Sequence, residues 1–208
     1  MPARRGGSEI MITTFLFDIG NVVWDYLPLQ RQVFLQWALL SGLDAATFGA
    51  KYTEFYAKME TNEKKLSDFV KYINQSEISP YLQVLDQIYN SPQFENYFHR
   101  PVVNLISNLR SSFRVGYLSN AENYYYPYIH QKLEPMFDFG YTSWQLKLRK
   151  PDPQIYQAVL TLQNLKPEEV VFIDDTPKNV DSAKSLGIES ILFTDNAQFL
   201  NSLKLLEI

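Results

Sequence analysis

Four short stretches of the chain are almost unbroken in their apolarity: residues 14–17, 113–118, 170–173 and 190–193. Each has the length of a strand, and three are rich in β-branched or aromatic side chains. A strand with one wet face alternates apolar and polar positions. Near-continuous apolarity instead predicts strands covered on both faces, as in a parallel sheet. Between the later runs the period changes. Residues 153–163 (PQIYQAVLTLQ) and 177–186 read as helices, each opened by a proline, the second stopped by Gly187. This alternation of strand and helix predicts an α/β fold.

The gap between the first two runs has a different pattern. Residues 28–110 read as amphipathic helices near 28–41, 44–59, 66–75, 80–89 and 97–110, with breaks at Ser41-Gly42, 60–65, Ser79-Pro80 and Ser91-Pro92. A crossover between parallel strands needs only about a dozen residues. So much helix predicts an inserted cap, placed at 28–100, folded over a core built from 12–27 and 101–208. Residues 1–11, with two arginines and a Gly-Gly-Ser stretch, are expected to be a disordered lead-in.

Composition narrows the chemistry. The 208 residues are 46% hydrophobic and 15% aromatic, enough for one domain with a substantial core. A formal charge of −4 without a basic patch argues against a nucleic-acid partner. There is no cysteine, which removes thiol nucleophiles and thiolate metal sites. Two histidines, His99 and His130, are too few for a histidine-rich zinc site. No apolar run approaches the roughly 18 residues of a membrane span, so a cytoplasmic protein with no membrane partner is expected.

In open α/β sheets, ligands bind beyond the carboxyl ends of the strands. Asp18 follows the first apolar run, Ser119-Asn120 the second and Asp174-Asp175 the third, and Lys150 lies just ahead of the helix at 153. Each alone reads as an ordinary turn, cap or surface group. Two adjacent carboxylates repel one another unless a cation neutralises them, which makes Asp174-Asp175 the strongest of the four signals. Together they supply a carboxylate nucleophile, hard oxygen ligands for Mg2+, hydroxyl and amide donors, and a fixed cation. That set is what phosphoryl transfer through an aspartyl-phosphate needs.

The set and its order resemble the haloacid dehalogenase superfamily, most of whose members are phosphatases. Asp18 with Val22 matches its first motif, YLSN (117–120) the second, Lys150 in RKPDPQIY the third, and FIDDTPKNVDSAKSLG (172–187) the fourth. The insertion falls where that superfamily places its helical C1 cap, on a Rossmann-like parallel sheet. FDIGNVVWDY is closer still to the bacterial α-D-glucose-1-phosphate phosphatase subgroup. The resemblance implies a Mg2+-dependent phosphatase of a small phosphorylated metabolite such as a sugar phosphate. It makes Asp18 the nucleophile and a metal ligand, joined by the Gly20 carbonyl and Asp175. Asp174 either ligates through water or orients Lys150. Ser119 and Asn120 bind the phosphoryl group, and Lys150 bridges it to the nucleophile. Asn179 is a supporting group behind the site, and Asp25 a structural one near the cap hinge.

The chain departs from the family pattern at one telling position. Most such phosphatases carry a second aspartate two residues after the first, which protonates the leaving group. Here it is Gly20. The glycine suggests a leaving group that needs little help, such as an anomeric hydroxyl. It also keeps open a catalytically impaired relative that binds or regulates. A 2-haloacid dehalogenase is a third reading, weakened by the Asp174-Asp175 pair, which has no purpose without a cation. Tyr124, Tyr125, Tyr126 and Tyr128 are expected to pack the cap on the core, or to form an aromatic rim for a ring-shaped ligand. His130 reads as a rim group, His99 and Arg100 as structural, and Lys147 and Arg149 as solvated surface.

Overall fold

The computed structural model describes residues 4–5, 10–74 and 77–206. Two residues, β1 (Arg4–Arg5), pair antiparallel with β2 (Ile10–Met11). The rest of the expected lead-in lies outside the described residues. The main sheet comprises β3 (Thr14–Phe17), β4 (Arg114–Ser119), β5 (Phe139–Thr142), β6 (Val170–Asp174) and β7 (Glu189–Leu192). All neighbours are parallel, in the order β5-β4-β3-β6-β7. The chain leaves β3 for one side of the sheet and later returns to the other. The carboxyl end of β3 is therefore the switch point, where α/β sheets leave a crevice.

Both faces of this sheet are dry, as the continuous apolar runs require. Phe15, Phe17, Val115, Tyr117, Val171 and Ile173 point to one face, and Leu16, Leu118, Val170 and Phe172 to the other, by the period-two alternation of strands. A single turn, α7 (Ser143–Leu146), follows β5, and the second face is covered by α8 (Pro153–Gln163) and α9 (Pro177–Ser185) through Ile155, Tyr156, Val159 and Ala183. The first is covered by α5 (Arg100–Leu109), α6 (Tyr126–Leu133) and α10 (Asn196–Leu205), and its apolar cluster runs on without a break into the insertion.

The insertion holds α1 (Tyr26–Ser41), α2 (Ala45–Glu60), α3 (Leu66–Asn74), α4 (Ser79–Tyr89) and a 3-10 turn, Pro92–Tyr97. Trp37, fully buried, ties α1 to α4 by donating from Nε1 to the Tyr81 carbonyl at 2.9 Å. Entry and exit strands touch: Trp24 bridges Phe98, Asp25 N–H donates to the Tyr97 carbonyl at 2.8 Å, and His99 N–H to the Val23 carbonyl at 2.8 Å. His99 adds side-chain bonds to the Val22 carbonyl (2.9 Å) and to Asp25 Oδ1 (2.8 Å). Asp25 and His99 thus fasten the two crossings together. No single described helix is long and apolar enough to cross a membrane.

Four elements depart from the sequence reading. The helix expected at 97–110 is a 3-10 turn, an extended Phe98 and then α5, because Pro101 suits only the first turn of a helix. The segments at α6 and α10 carry no long apolar stripe and gave no helix signal. β5 reads FGYT, too short and too glycine-broken to stand out.

Glycine on β4 and β5 has a packing reason. Gly116 pairs with Phe139 and Gly140 with Tyr117. A Cβ on Gly116 would lie 2.3 Å from the Phe139 ring, and one on Gly140 1.9 Å from the Tyr117 ring. Each glycine leaves room for the ring laid across it. Gly116→Ala is expected to lower stability by about 1–3 kcal/mol through overpacking, read as a lower denaturation midpoint with an unchanged slope.

Candidate active site

The tips of β3, β4 and β6 converge. Asp18 follows β3 directly, and its N–H donates to the Ile173 carbonyl at 2.7 Å, extending the ladder by one step. Lys150 Nζ lies between two carboxylates, donating to Asp18 Oδ1 at 2.7 Å and to Asp174 Oδ2 at 2.6 Å. Asp174, the last residue of β6, is wholly buried. Asn179 Nδ2, in the first turn of α9, donates to both its oxygens at 3.0 Å, and Thr176 N–H adds a bond to Oδ1 at 2.8 Å. These bonds engage both Asp174 oxygens and hold Oδ2 against the Lys150 ammonium. Asp175 Oδ2 accepts from Asn21 Nδ2 at 3.0 Å. Asn21 takes a left-handed φ of 58° in the turn after β3, a conformation asparagine tolerates better than most residues.

Carboxylate oxygens of Asp18, Asp174 and Asp175 lie within 4.8 Å of one another. Three acids against one ammonium leave an excess of negative charge. Burial, with Asp174 and Asp175 beside it, pushes the Asp18 carboxyl up to about 7 against the pull of Lys150. Burial alone would lower the Lys150 ammonium, but Asp174 and Asp18 outweigh it and hold it above its ordinary value. Closely spaced hard oxygen donors with uncompensated charge fit a small divalent cation such as Mg2+.

The Asn120 side chain is bound to the main chain of Lys150, its Nδ2 donating to the carbonyl and its Oδ1 accepting from the N–H, both at 2.9 Å. It therefore positions the lysine. Ser119 lines the cavity. Asp25 stands apart at the hinge.

Above this floor is a cavity of about 180 Å3. Its other wall is formed by Trp24, Tyr26, Tyr56, Tyr89, Tyr125 and Glu122. Tyr26 covers the glycine: a Cβ on Gly20 would lie 3.3 Å from Tyr26 Cβ. Tyr124 and Tyr125 are buried between cap and core, with ring centroids 5.5 Å from Trp37 and 5.3 Å from Tyr89 respectively. Tyr126 lies near the surface, stacked on His130. His130 is exposed beside Glu134 and does not line the cavity.

Arg149 is not the solvated side chain the sequence suggested. Its Nε donates at 2.7 Å to Glu60 Oε2, a wholly buried carboxylate at the end of α2, because the chain brings the cap down on that loop. Lys147 is exposed as expected. Glu122 was also missed. Its Oε1 lies 2.7 Å from the Tyr52 hydroxyl and 2.9 Å from the Tyr124 hydroxyl, which also touch each other, so the two hydroxyl protons are shared among three contacts. Burial, helped by Glu60, pushes the Glu122 carboxyl up to about 7. The available signal was an acid inside an aromatic segment immediately after the second motif.

An acid whose folded pKa is raised above its unfolded value stabilises the fold below the unfolded pKa, and that stability is lost as pH rises through the folded pKa. For Asp18 the window runs from 3.8 to about 7. Asp18→Asn is therefore expected to raise metal-free stability at pH 8 by about 1–3 kcal/mol, with little gain near pH 4. Thermal melts in EDTA at both pH values read this; an equal effect at both would contradict it.

The sequence model of the haloacid dehalogenase-like hydrolases matches residues 12–187. D-ribitol-5-phosphate phosphatase from Bacteroides thetaiotaomicron is 29% identical over 194 residues, 86% of this chain and 91% of that protein. Bifunctional epoxide hydrolase 2 of Rattus norvegicus is 42% identical over 73 residues, 35% of this chain and 13% of that much longer protein. Among solved structures, a haloacid dehalogenase-family enzyme from Bacteroides thetaiotaomicron in complex with magnesium and inorganic phosphate shares the fold. Its TM-score is 0.69 at 21% identity, over 88% of this chain and 94% of that one. A family match that spans the insertion and every strand tip described above places this chain in the haloacid dehalogenase-like hydrolase family.

Proposed function

We propose that the chain is a magnesium-dependent phosphatase of small phosphorylated metabolites, most simply sugar or polyol phosphates, working through an aspartyl-phosphate on Asp18. The observation that carries this is the buried Lys150 ammonium shared by Asp18 and Asp174, with Asp175 alongside. The name of the Bacteroides relative, a phosphatase of a polyol phosphate, supports the same reading.

In this reading Asp18 attacks phosphorus, the bond from phosphorus to the leaving oxygen breaks, and that oxygen keeps the electron pair and gains a proton. Water then attacks the phosphoryl group, releasing phosphate and restoring the Asp18 carboxylate. Asp18, Asp175 and the Gly20 carbonyl would hold Mg2+, which supplies positive charge against the carboxylates and the phosphoryl oxygens. Lys150 holds its charge beside the nucleophile, and Asn120 and Asp174 fix where that charge sits. The Ser119 hydroxyl and the Asn120 main chain offer donors to the phosphoryl group. A 2-haloacid dehalogenase would have no use for a third carboxylate.

No acid stands at Gly20, and Tyr26, which covers it, has its hydroxyl pushed far above its ordinary value by burial. A positioned acid or base contributes about 10²–10⁴-fold, so its loss favours substrates whose leaving oxygen is already acidic. The resemblance to α-D-glucose-1-phosphate phosphatases agrees.

Phosphate release is expected to need Mg2+, to stop in EDTA, and to fall at least about 10³-fold in Asp18→Asn. Sugar 1-phosphates should exceed their 6-phosphate isomers in kcat/KM by about tenfold or more. Equal rates would mean that another group supplies the proton. No release from any phosphomonoester by the folded protein would favour a binding role instead.

A further inference from the structure

The leaving-group half of the cavity carries a charge that the phosphatase chemistry does not use. Among the described residues lining the cavity, Lys150 is the only lysine or arginine, and it is committed to Asp18 and Asp174. Glu122 stands in the cap-side wall, 1% exposed, with no ion-pair partner among the described residues. Its Oε1 is held in place by Tyr52 and Tyr124. In the same wall the buried Tyr125 hydroxyl has no hydrogen-bond partner of good geometry. Glu60, one turn beyond Tyr56 in α2, holds Arg149 in an ion pair, so Arg149 is committed to Glu60 and not to Glu122.

We propose that Glu122 makes this half of the cavity selective for phosphomonoesters whose remaining part is uncharged and hydroxyl-bearing, and that it turns away substrates with a second anionic group. The inference rests on the reading that a phosphomonoester binds with its phosphoryl group at Asp18. A second phosphate or carboxylate would meet Glu122 with no cation to offset it, in a pocket where little water screens the repulsion. A hydroxyl can donate to Glu122 and accept from Tyr125, satisfying both buried groups at once. The tyrosine rings offer flat apolar faces to the carbon skeleton.

Two matched pairs test this, with the full chain and Mg2+ at pH 8. Glucose 1-phosphate against glucuronic acid 1-phosphate, and glycerol 3-phosphate against 3-phosphoglycerate, each change one hydroxymethyl into a carboxylate. The uncharged member is expected to win by about tenfold or more in kcat/KM, and Glu122→Gln to bring both ratios towards one. The wild type gives a second reading that needs no variant. Tyr26, Tyr52, Tyr56, Tyr89, Tyr124 and Tyr125 face Glu122 as neutral hydroxyls, and Glu60, itself raised by burial, faces it from α2 in its pair with Arg149, so that protonation of either acid lowers the negative charge of this wall. The ratios should therefore shrink at pH 6, where Glu122 gains its proton, since burial has pushed it up to about 7. Equal use of both members by the wild type, or ratios unchanged in Glu122→Gln, overturns the proposal. If no compound releases phosphate, the phosphatase reading fails by itself. The same ratios are then taken as Kd by calorimetry, where a lost preference for the uncharged members overturns the proposal and a retained one upholds it.

Discussion

Lys150 carries its ammonium into the protein with 1% of its side chain exposed, between Asp18 and Asp174. Taking such charges out of water costs several kcal/mol per ion, and the two carboxylates keep the ammonium charged. Much of the sheet edge is arranged around that constraint. Asn179 and the Thr176 N–H saturate Asp174 from the start of α9, and the Tyr156 hydroxyl donates to the Asn179 carbonyl at 2.9 Å. Asn120 grips the lysine main chain on both sides. Three strand tips are thus held in one register by a group whose charge serves the chemistry. The excess of acid over base that remains is what a divalent cation would offset.

The insertion is joined to this centre by more than apolar contact. Two polar pairs cross from cap to core beside the cavity, Glu60 with Arg149 and Tyr52 with Glu122. Both acids are buried, so both are expensive to leave without partners. The cap therefore brings a defined electrostatic surface to the side of the cavity opposite Asp18. In the proposed reading the phosphoryl group sits at the sheet and the leaving group between Glu122 and the cap tyrosines, and core and cap meet where Tyr26 lies against Gly20.

The core of this arrangement was legible in the sequence, because chemistry and folding constrain the same residues. Continuous apolar runs marked β3, β4, β6 and β7, since strands dry on both faces cannot alternate. Asp18, Lys150, Asp174 and Asp175 stood out as polar groups immediately beyond or between such runs. β5 did not, because its glycine and its half-exposed positions dilute the signal. The role of Asn120 was hidden, because a side chain bound to main chain thirty residues away looks like any cap. Glu60, Glu122 and Arg149 were hidden for a related reason. Each is an ordinary charged residue until a distant element closes over it, and no local pattern encodes that closure. Asn21 was visible in the first motif, but its contact with Asp175 spans 154 residues.

The central claim is that Asp18 takes the phosphoryl group. Without an acid or base at residue 20, hydrolysis of the resulting acyl phosphate should be slow enough for it to accumulate. Incubating the protein with Mg2+ and acetyl phosphate, quenching in acid, reducing with borohydride and mapping peptides by mass spectrometry locates that group directly. The account predicts conversion of Asp18 to homoserine, dependent on Mg2+ and absent from Asp18→Asn. Modification at another residue, or none under conditions where phosphate is released, would contradict it.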